Sequence, residues 1–183
     1  LAGRGVAGAE PFALVPIVDG ALSDALSGRQ GAFRSHEANV WGAETDVQAI
    51  SQWLSRYQGQ TRRDYTRIAE RFYLWCIHVR RKALSSLQEP DLQAYQAFLA
   101  APPADWVQER KVRREDASWR PFRGPLGRNS QRHEFTVLGS MFSAMHEKGY
   151  LRAHAMANLR RTLGLLKPSI DARRSLSERQ WAF

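Results

Sequence analysis

The chain has 183 residues and a formal net charge of +9, concentrated late: residues 1–60 hold four Lys/Arg against six Asp/Glu, and residues 61–183 hold 23 against 12. That length suits one domain with a real core plus extensions, and a single cysteine, Cys76, excludes an intramolecular disulfide and a Cys-rich zinc site and points to a reducing, cytoplasmic compartment. No apolar run approaches a membrane span, and Pro11 and Pro16 interrupt Phe12 to Val18, the one stretch resembling a signal core.

Residues 1–43 are rich in Gly and Ala with scattered Pro and carry no sustained period, which predicts a flexible, largely extended N-terminal extension. Gly3, Gly5 and Gly8 spell G-x-G-x-x-G, but no strand precedes them and no helix follows, so a dinucleotide site is set aside. A helical domain is expected over 44–165. Thr45, with Gln48 three positions on, predicts a helix start; Val47, Ile50, Trp53, Leu54 and Tyr57 follow at helical spacing up to Gly59.

A second helix is expected from a Thr61 cap, with Tyr65, Ile68, Ala69, Phe72, Trp75, Cys76 and Val79 as one apolar stripe. At roughly 100° per residue, Arg63, Arg67 and Arg71 fall on a face away from that stripe. Like charges at i, i+4 are locally unfavourable unless something anionic faces them. Pro90 marks the first turn of a third helix whose inner face is Leu92, Tyr95, Phe98 and Leu99, stopped by Pro102 and Pro103. Glu89 and Asp91 at that start compensate the helix dipole and need no acid–base role.

From 101 to 127 runs a long insert without period, holding Trp106, Trp119, Phe122 and the cations Arg110, Lys111, Arg113, Arg114, Arg120 and Arg123. Loops of this length are functional or disordered more often than not. Its tryptophans either stack on bases or pin the loop to the bundle. A fourth helix starts near Asn129 or Ser130, with Phe135, Leu138, Phe142 and Met145 as its core stripe and Gly149 as its stop. A short fifth helix, 156–165, precedes a basic linker, 166–183, which holds Arg173, Arg174 and a capped start at Ser177. Because the sequence opens on Leu1 and stops at Phe183 inside that start, it reads as a fragment.

Two of these helices open on clustered arginines, Arg62 and Arg63 in one, Arg128 and Arg132 in the other. A helix N-terminus already carries partial positive charge, so stability alone would favour acids there. Arginine far outnumbers lysine, which suits planar, bidentate recognition of phosphate. Catalytic chemistry finds no constellation: the five histidines lie apart, no Walker loop or G-x-S-x-G elbow is present, and Cys76 sits on an apolar stripe. No metal or cofactor is expected.

The order of elements resembles the N-terminal core-binding domain of tyrosine recombinases, the phage-integrase family. The likeness rests on Thr61 with Tyr65, on Phe72 and Trp75, and on Leu84, Ser85, Ser86 and Leu87 leading into Asp91, Leu92 and Tyr95. It continues through Ser130, Arg132, Leu138 and Phe142 to Gly149, Tyr150 and Leu151, and ends in Arg174, Ser175, Leu176, Ser177 and Trp181, which look like the entry to a catalytic domain. Two departures stand out: His154 and Ala155 replace the Asn-Pro frequent in the family, and the insert is longer than in compact members.

The resemblance implies an all-α fold, a SAM-like orthogonal bundle of four to five helices, closing over one face of double-stranded DNA. It implies a parent enzyme that assembles as a tetramer on paired sites, whereas this domain would be a monomer that cuts nothing. The nucleophilic tyrosine would lie in the catalytic domain, so none of Tyr57, Tyr65, Tyr73, Tyr95 or Tyr150 has that role. The expected DNA-binding residues are Arg62, Arg63, Arg67, Arg128, Ser130, Gln131 and Arg132, with Lys111, Arg113 and Arg114 from the insert. Gln131 and Arg132 are the expected base readers, since Gln pairs with adenine and Arg with guanine in the major groove. The alternative is a helical protein-interaction module that meets an acidic partner, with the insert tryptophans as anchors.

Overall fold

The computed structural model describes residues 22–114, 116 and 118–157. The glycine-rich start, the fifth helix with Arg160 and Arg161, and the basic linker with its capped start fall largely or wholly outside the described residues. Within them the fold is all-α. Five α-helices occur, α1 (Asp24–Ser27), α2 (Asp46–Leu54), α3 (Gly59–Trp75), α4 (Glu89–Ala100) and α5 (Arg128–Glu147). The only β pairing among the described residues is two isolated bridges, Arg34 with Leu151 and Val107 with Phe122. No described helix is long and apolar enough to cross a membrane.

Local chemistry accounts for most boundaries. The Thr45 hydroxyl accepts the Gln48 N–H at 3.3 Å, while Gln48 Oε1 reaches back to the Glu44 N–H at 2.7 Å, a reciprocal cap at the start of α2. Gln88 and Asp91 form the equivalent box at α4, with Pro90 in its first turn. Helix α5 ends on Gly149 at φ 74: the Gly149 N–H bonds the His146 carbonyl at 3.0 Å and the Tyr150 N–H the Met145 carbonyl at 2.8 Å. That pattern needs a left-handed residue, which glycine adopts without a Cβ clash.

Helix α3 departs from expectation in three ways. It begins at Gly59 with Gln58 as its cap position, so Thr61 lies inside it and Gly59 opens this helix instead of closing α2. Its second half is central: Ile68, Ala69, Phe72 and Trp75 are buried, and so are Arg71, Tyr73 and Leu74. Arg71, assigned by its helical phase to the outer face, is 3% exposed because the insert and α5 cover that side. After Trp75 the chain passes through a π-turn, Cys76–Arg80. One extra residue in a turn rotates the downstream side chains by about 100°, and Val79 accordingly leaves the stripe and is 43% exposed.

The core joins α2, α3, α4 and α5 through aromatic contacts. Trp53 of α2 stacks on Tyr65 of α3 at 5.4 Å, and Phe72 meets Tyr95 of α4 edge-on at 4.8 Å and Phe142 of α5 at 6.0 Å. Cys76 is fully buried among them, and burial pushes its thiol well above its ordinary value.

Residues 22–43 do not belong to a flexible extension. Leu22, Leu26 and Trp41 pack against the core, and the extended stretch around Phe33 is strapped across the molecule by backbone bonds. The Phe33 N–H bonds the Ser85 carbonyl at 2.8 Å, the Ser35 N–H bonds the Tyr150 carbonyl at 3.0 Å, and the Arg152 N–H bonds the Phe33 carbonyl at 3.0 Å. The Arg34 guanidinium lies 4.1 Å from the Tyr150 ring centre. Such a strap carries no helical or strand period because the elements it crosses satisfy its backbone groups.

Beneath the strap sits Asp46, fully buried, accepting from the Tyr150 hydroxyl at 2.7 Å and the Ser85 N–H at 3.2 Å. Burial pushes its carboxyl up to about 6 despite these hydrogen bonds.

Candidate nucleic-acid interface

The insert forms a wall beside α3 and α5. A short 3-10 turn, Ala104–Trp106, buries Trp106, whose ring meets Phe98 of α4 edge-on at 5.0 Å. The returning segment pairs with the outgoing one: the Gln108 N–H bonds the Phe122 carbonyl at 2.7 Å, and the Phe122 N–H bonds the Trp106 carbonyl at 3.1 Å. Phe122 is 1% exposed and lies against Arg71, whose guanidinium carbon is 4.7 Å from the ring centre. Farther out, Arg114 pairs with Glu70 of α3 and covers the ring of Trp119 at 4.2 Å. The aromatic residues of the insert therefore pin it to the bundle.

Between this wall and the helices lies a groove of about 1130 Å³. Arg67 and Arg71 of α3 line it on one side, and Asn129, Ser130, His133 and Glu134 of α5 on another. The insert contributes Arg110, Lys111, Arg120 and Arg123, with Glu109. Lys111 and Arg123 carry no carboxylate partner among the described residues. The first turn of α5 holds no acid, and Gly127 at its cap position offers no side chain, so the partial positive charge of that turn is added to the groove.

The floor is a buried polar triad. Arg71 Nε donates to Glu134 Oε1 at 3.1 Å and its terminal nitrogen pairs with Oε2. The Tyr95 hydroxyl donates to Oε1 from α4. Burial raises the Glu134 carboxyl, opposed by Arg71 and Tyr95, and burial together with Glu134 pushes the Tyr95 hydroxyl well up. At the rim, Asp64 accepts from Arg67 at 2.5 Å and bonds His133 Nε2 at 2.7 Å. Partial burial raises the Asp64 carboxyl, but the His133 and Arg67 contacts outweigh it and hold it below its usual range.

Of the residues selected from sequence, Arg67, Ser130 and Lys111 lie in the groove. Arg62, Arg63, Arg128 and Arg113 are exposed but do not line it, and Arg132, half-buried, reaches Asn129 Oδ1 at 3.4 Å. Two assignments change. Gln131 is buried, with its amide donating to the Leu126 carbonyl at 2.7 Å, so it closes the end of the insert and presents nothing to a base. Arg114 is held by Glu70 and Trp119 and positions the wall. The groove also contains Arg110, Arg120, Arg123 and His133, which spacing alone did not single out; the first three become neighbours of α5 only when the insert folds back. No family model, curated protein or solved structure matches this chain.

Proposed function

We propose that this chain is a polyanion-binding helical domain whose ligand is duplex DNA, with the groove as its phosphate-binding surface. One observation carries the reading. Arg67, Arg110, Lys111, Arg120 and Arg123 converge from two separate segments on one trough that also receives the uncapped start of α5. Convergent arginines with a helix N-terminus suit phosphate oxygens, and a run of phosphates would neutralise them together. Arg62, Arg63 and Arg128 extend the basic surface beyond the trough, with Arg113 on the outer insert. Arg132 remains the candidate base reader.

Within that class, we read the chain as the N-terminal core-binding domain of a tyrosine recombinase or integrase, on the motifs from Thr61 to Tyr150. Strand cutting would reside in a catalytic domain outside it. The acidic-partner alternative loses its anchors, because Trp106 is buried and Trp119 is covered by Arg114.

The test is fluorescence anisotropy of a labelled duplex titrated at several salt concentrations. If about six side chains neutralise phosphates, log K against log salt falls with a slope of about −5. Replacing Arg110 and Arg123 by Ala lowers affinity and shallows that slope by about 2 without changing the melting temperature. A slope near zero at measurable affinity refutes the reading. Unchanged duplex binding by the double variant, with loss of an acidic protein ligand, favours the alternative.

A further inference from the structure

His133 stands where α5 crosses the first half of α3, with its side chain 53% exposed into the groove and Nε2 on Asp64 Oδ2 at 2.7 Å. Both carboxylate oxygens of Asp64 are occupied, Oδ1 by Arg67 and Oδ2 by His133. An acid at the rim of a phosphate-binding groove repels the ligand it borders, and it also holds two groups that would otherwise contact that ligand. We propose, on the footing of the DNA reading, that His133 is a phosphate-binding residue of the groove that takes up one proton when the polyanion enters.

The field at the ring supplies the coupling. From α3 the imidazole bonds Asp64 and shares the groove with Arg67 and Arg71, and Arg71 is already neutralised by Glu134, the neighbour of His133 on α5. Across the groove the insert lines it with Arg110, Lys111, Arg120 and Arg123 and with Glu109, and Asp116 lies within the field of Arg110. Phosphates that fill the groove neutralise those cations and place negative charge beside the ring, which favours imidazolium. The balance is one proton from solvent, taken at Nδ1, the ring nitrogen not on Asp64. The new N–H donates to a phosphate oxygen while Nε2–H keeps donating to the Asp64 carboxylate. Imidazolium beside Asp64 also cancels the acid that would repel the DNA backbone.

The experiment compares the wild-type chain with His133→Asn, which keeps an amide able to reach Asp64. Duplex affinity is measured by anisotropy from about pH 5.5 to about pH 8 at fixed salt, the range in which histidine titrates. Wild-type affinity is expected to fall about thirtyfold or more over that range, as an uptake close to one proton near neutrality requires, and the variant's by twofold or less. Calorimetry of the wild-type binding at about pH 7 in two buffers of different ionisation enthalpy is expected to count close to one proton taken up. That count does not depend on how the variant folds. Equal pH profiles, or a proton count near zero, overturn the role of His133 and leave the DNA reading intact. Absence of duplex binding at every pH in low salt overturns both.

Discussion

Removing the Arg71 side chain beyond Cβ separates scaffolding from ligand contact in this groove. Arg71→Ala leaves Glu134, 1% exposed, with the Tyr95 hydroxyl as its remaining partner in the triad. Breaking a buried pair by deleting one member costs about 3–5 kcal/mol, because the surviving charge stays desolvated. The lost packing of the guanidinium on Phe122 adds about 0.5–2 kcal/mol. Protonation of Glu134, favoured by its burial, returns part of that cost and does so more completely in acid. The net expectation is about 3–4 kcal/mol of destabilisation at neutral pH, a large fraction of the 5–15 kcal/mol typical of a domain. Urea denaturation followed by circular dichroism measures it. The companion variant Arg71→Met with Glu134→Gln removes both charges and retains an acceptor for Tyr95, so it should recover about 2 kcal/mol or more of the loss. An Arg71→Ala protein that is destabilised by less than about 1 kcal/mol yet loses duplex binding would refute the structural role and make Arg71 a ligand contact.

The buried and anchored groups give three further expected outcomes. The Asp46 carboxyl, at about 6 in the folded chain and near 3.8 unfolded, binds its proton more tightly when native; stability therefore rises as pH falls from 7 through about 6, by about 3 kcal/mol in all. Asp91 is raised by burial, but the Gln88 N–H, Arg80 and Lys82 hold it below its ordinary value, so its contribution is lost on further acidification. Urea midpoints should peak on the acid side of neutrality, and Asp46→Asn should flatten the limb above pH 5 (roughly). Gly28→Ala places a Cβ 2.3 Å from the Asp46 carboxyl carbon at a backbone φ of 89, and should lower stability by about 2 kcal/mol or more in the same assay. Arg114→Ala should leave global stability within about 1 kcal/mol, since the pair with Glu70 is half-exposed, while trypsin cuts the outer insert at Arg110, Lys111 or Arg113 several-fold faster. Unchanged cleavage would mean that Trp119 and Phe122 hold the wall without it.

Features set by neighbouring residues were legible in the sequence. Thr45 and Gln48, Pro90, and Gly149 mark their helix ends because such signals are contacts or constraints among adjacent residues; the Gln88–Asp91 box at α4 went unread. The apolar phases of α2, α4 and α5 likewise belong to single helices. Arg71 and Gln131 were misplaced for the opposite reason. A helical phase locates a side chain relative to its own axis and is silent about the insert, whose Phe122 returns over Arg71 and whose Leu126 carbonyl takes the Gln131 amide just before α5 begins. The strap at 28–35 escaped detection because its partners are backbone groups of Ser85, Tyr150 and Arg152. For the groove, composition marked the insert as basic, but which cations meet α5 depends on the turn at Trp106 and the pairing of Gln108 with Phe122.

That strap orders events in time as well as space. The Arg152 side chain reaches the Ala32 carbonyl across 120 positions, and the Tyr150 hydroxyl reaches Asp46 across 104. On a ribosome the segment around Phe33 emerges before all of its partners: Ser85 and Ser86 follow about 54 residues later, and Arg152 about 120. The helices between can dock through contacts of shorter range while the strap waits, with its backbone groups in water. The strap can thus take hold at Ser85 and Ser86 early, but it closes fully only when α5 has turned at Gly149 and brought Tyr150 and Arg152 to it.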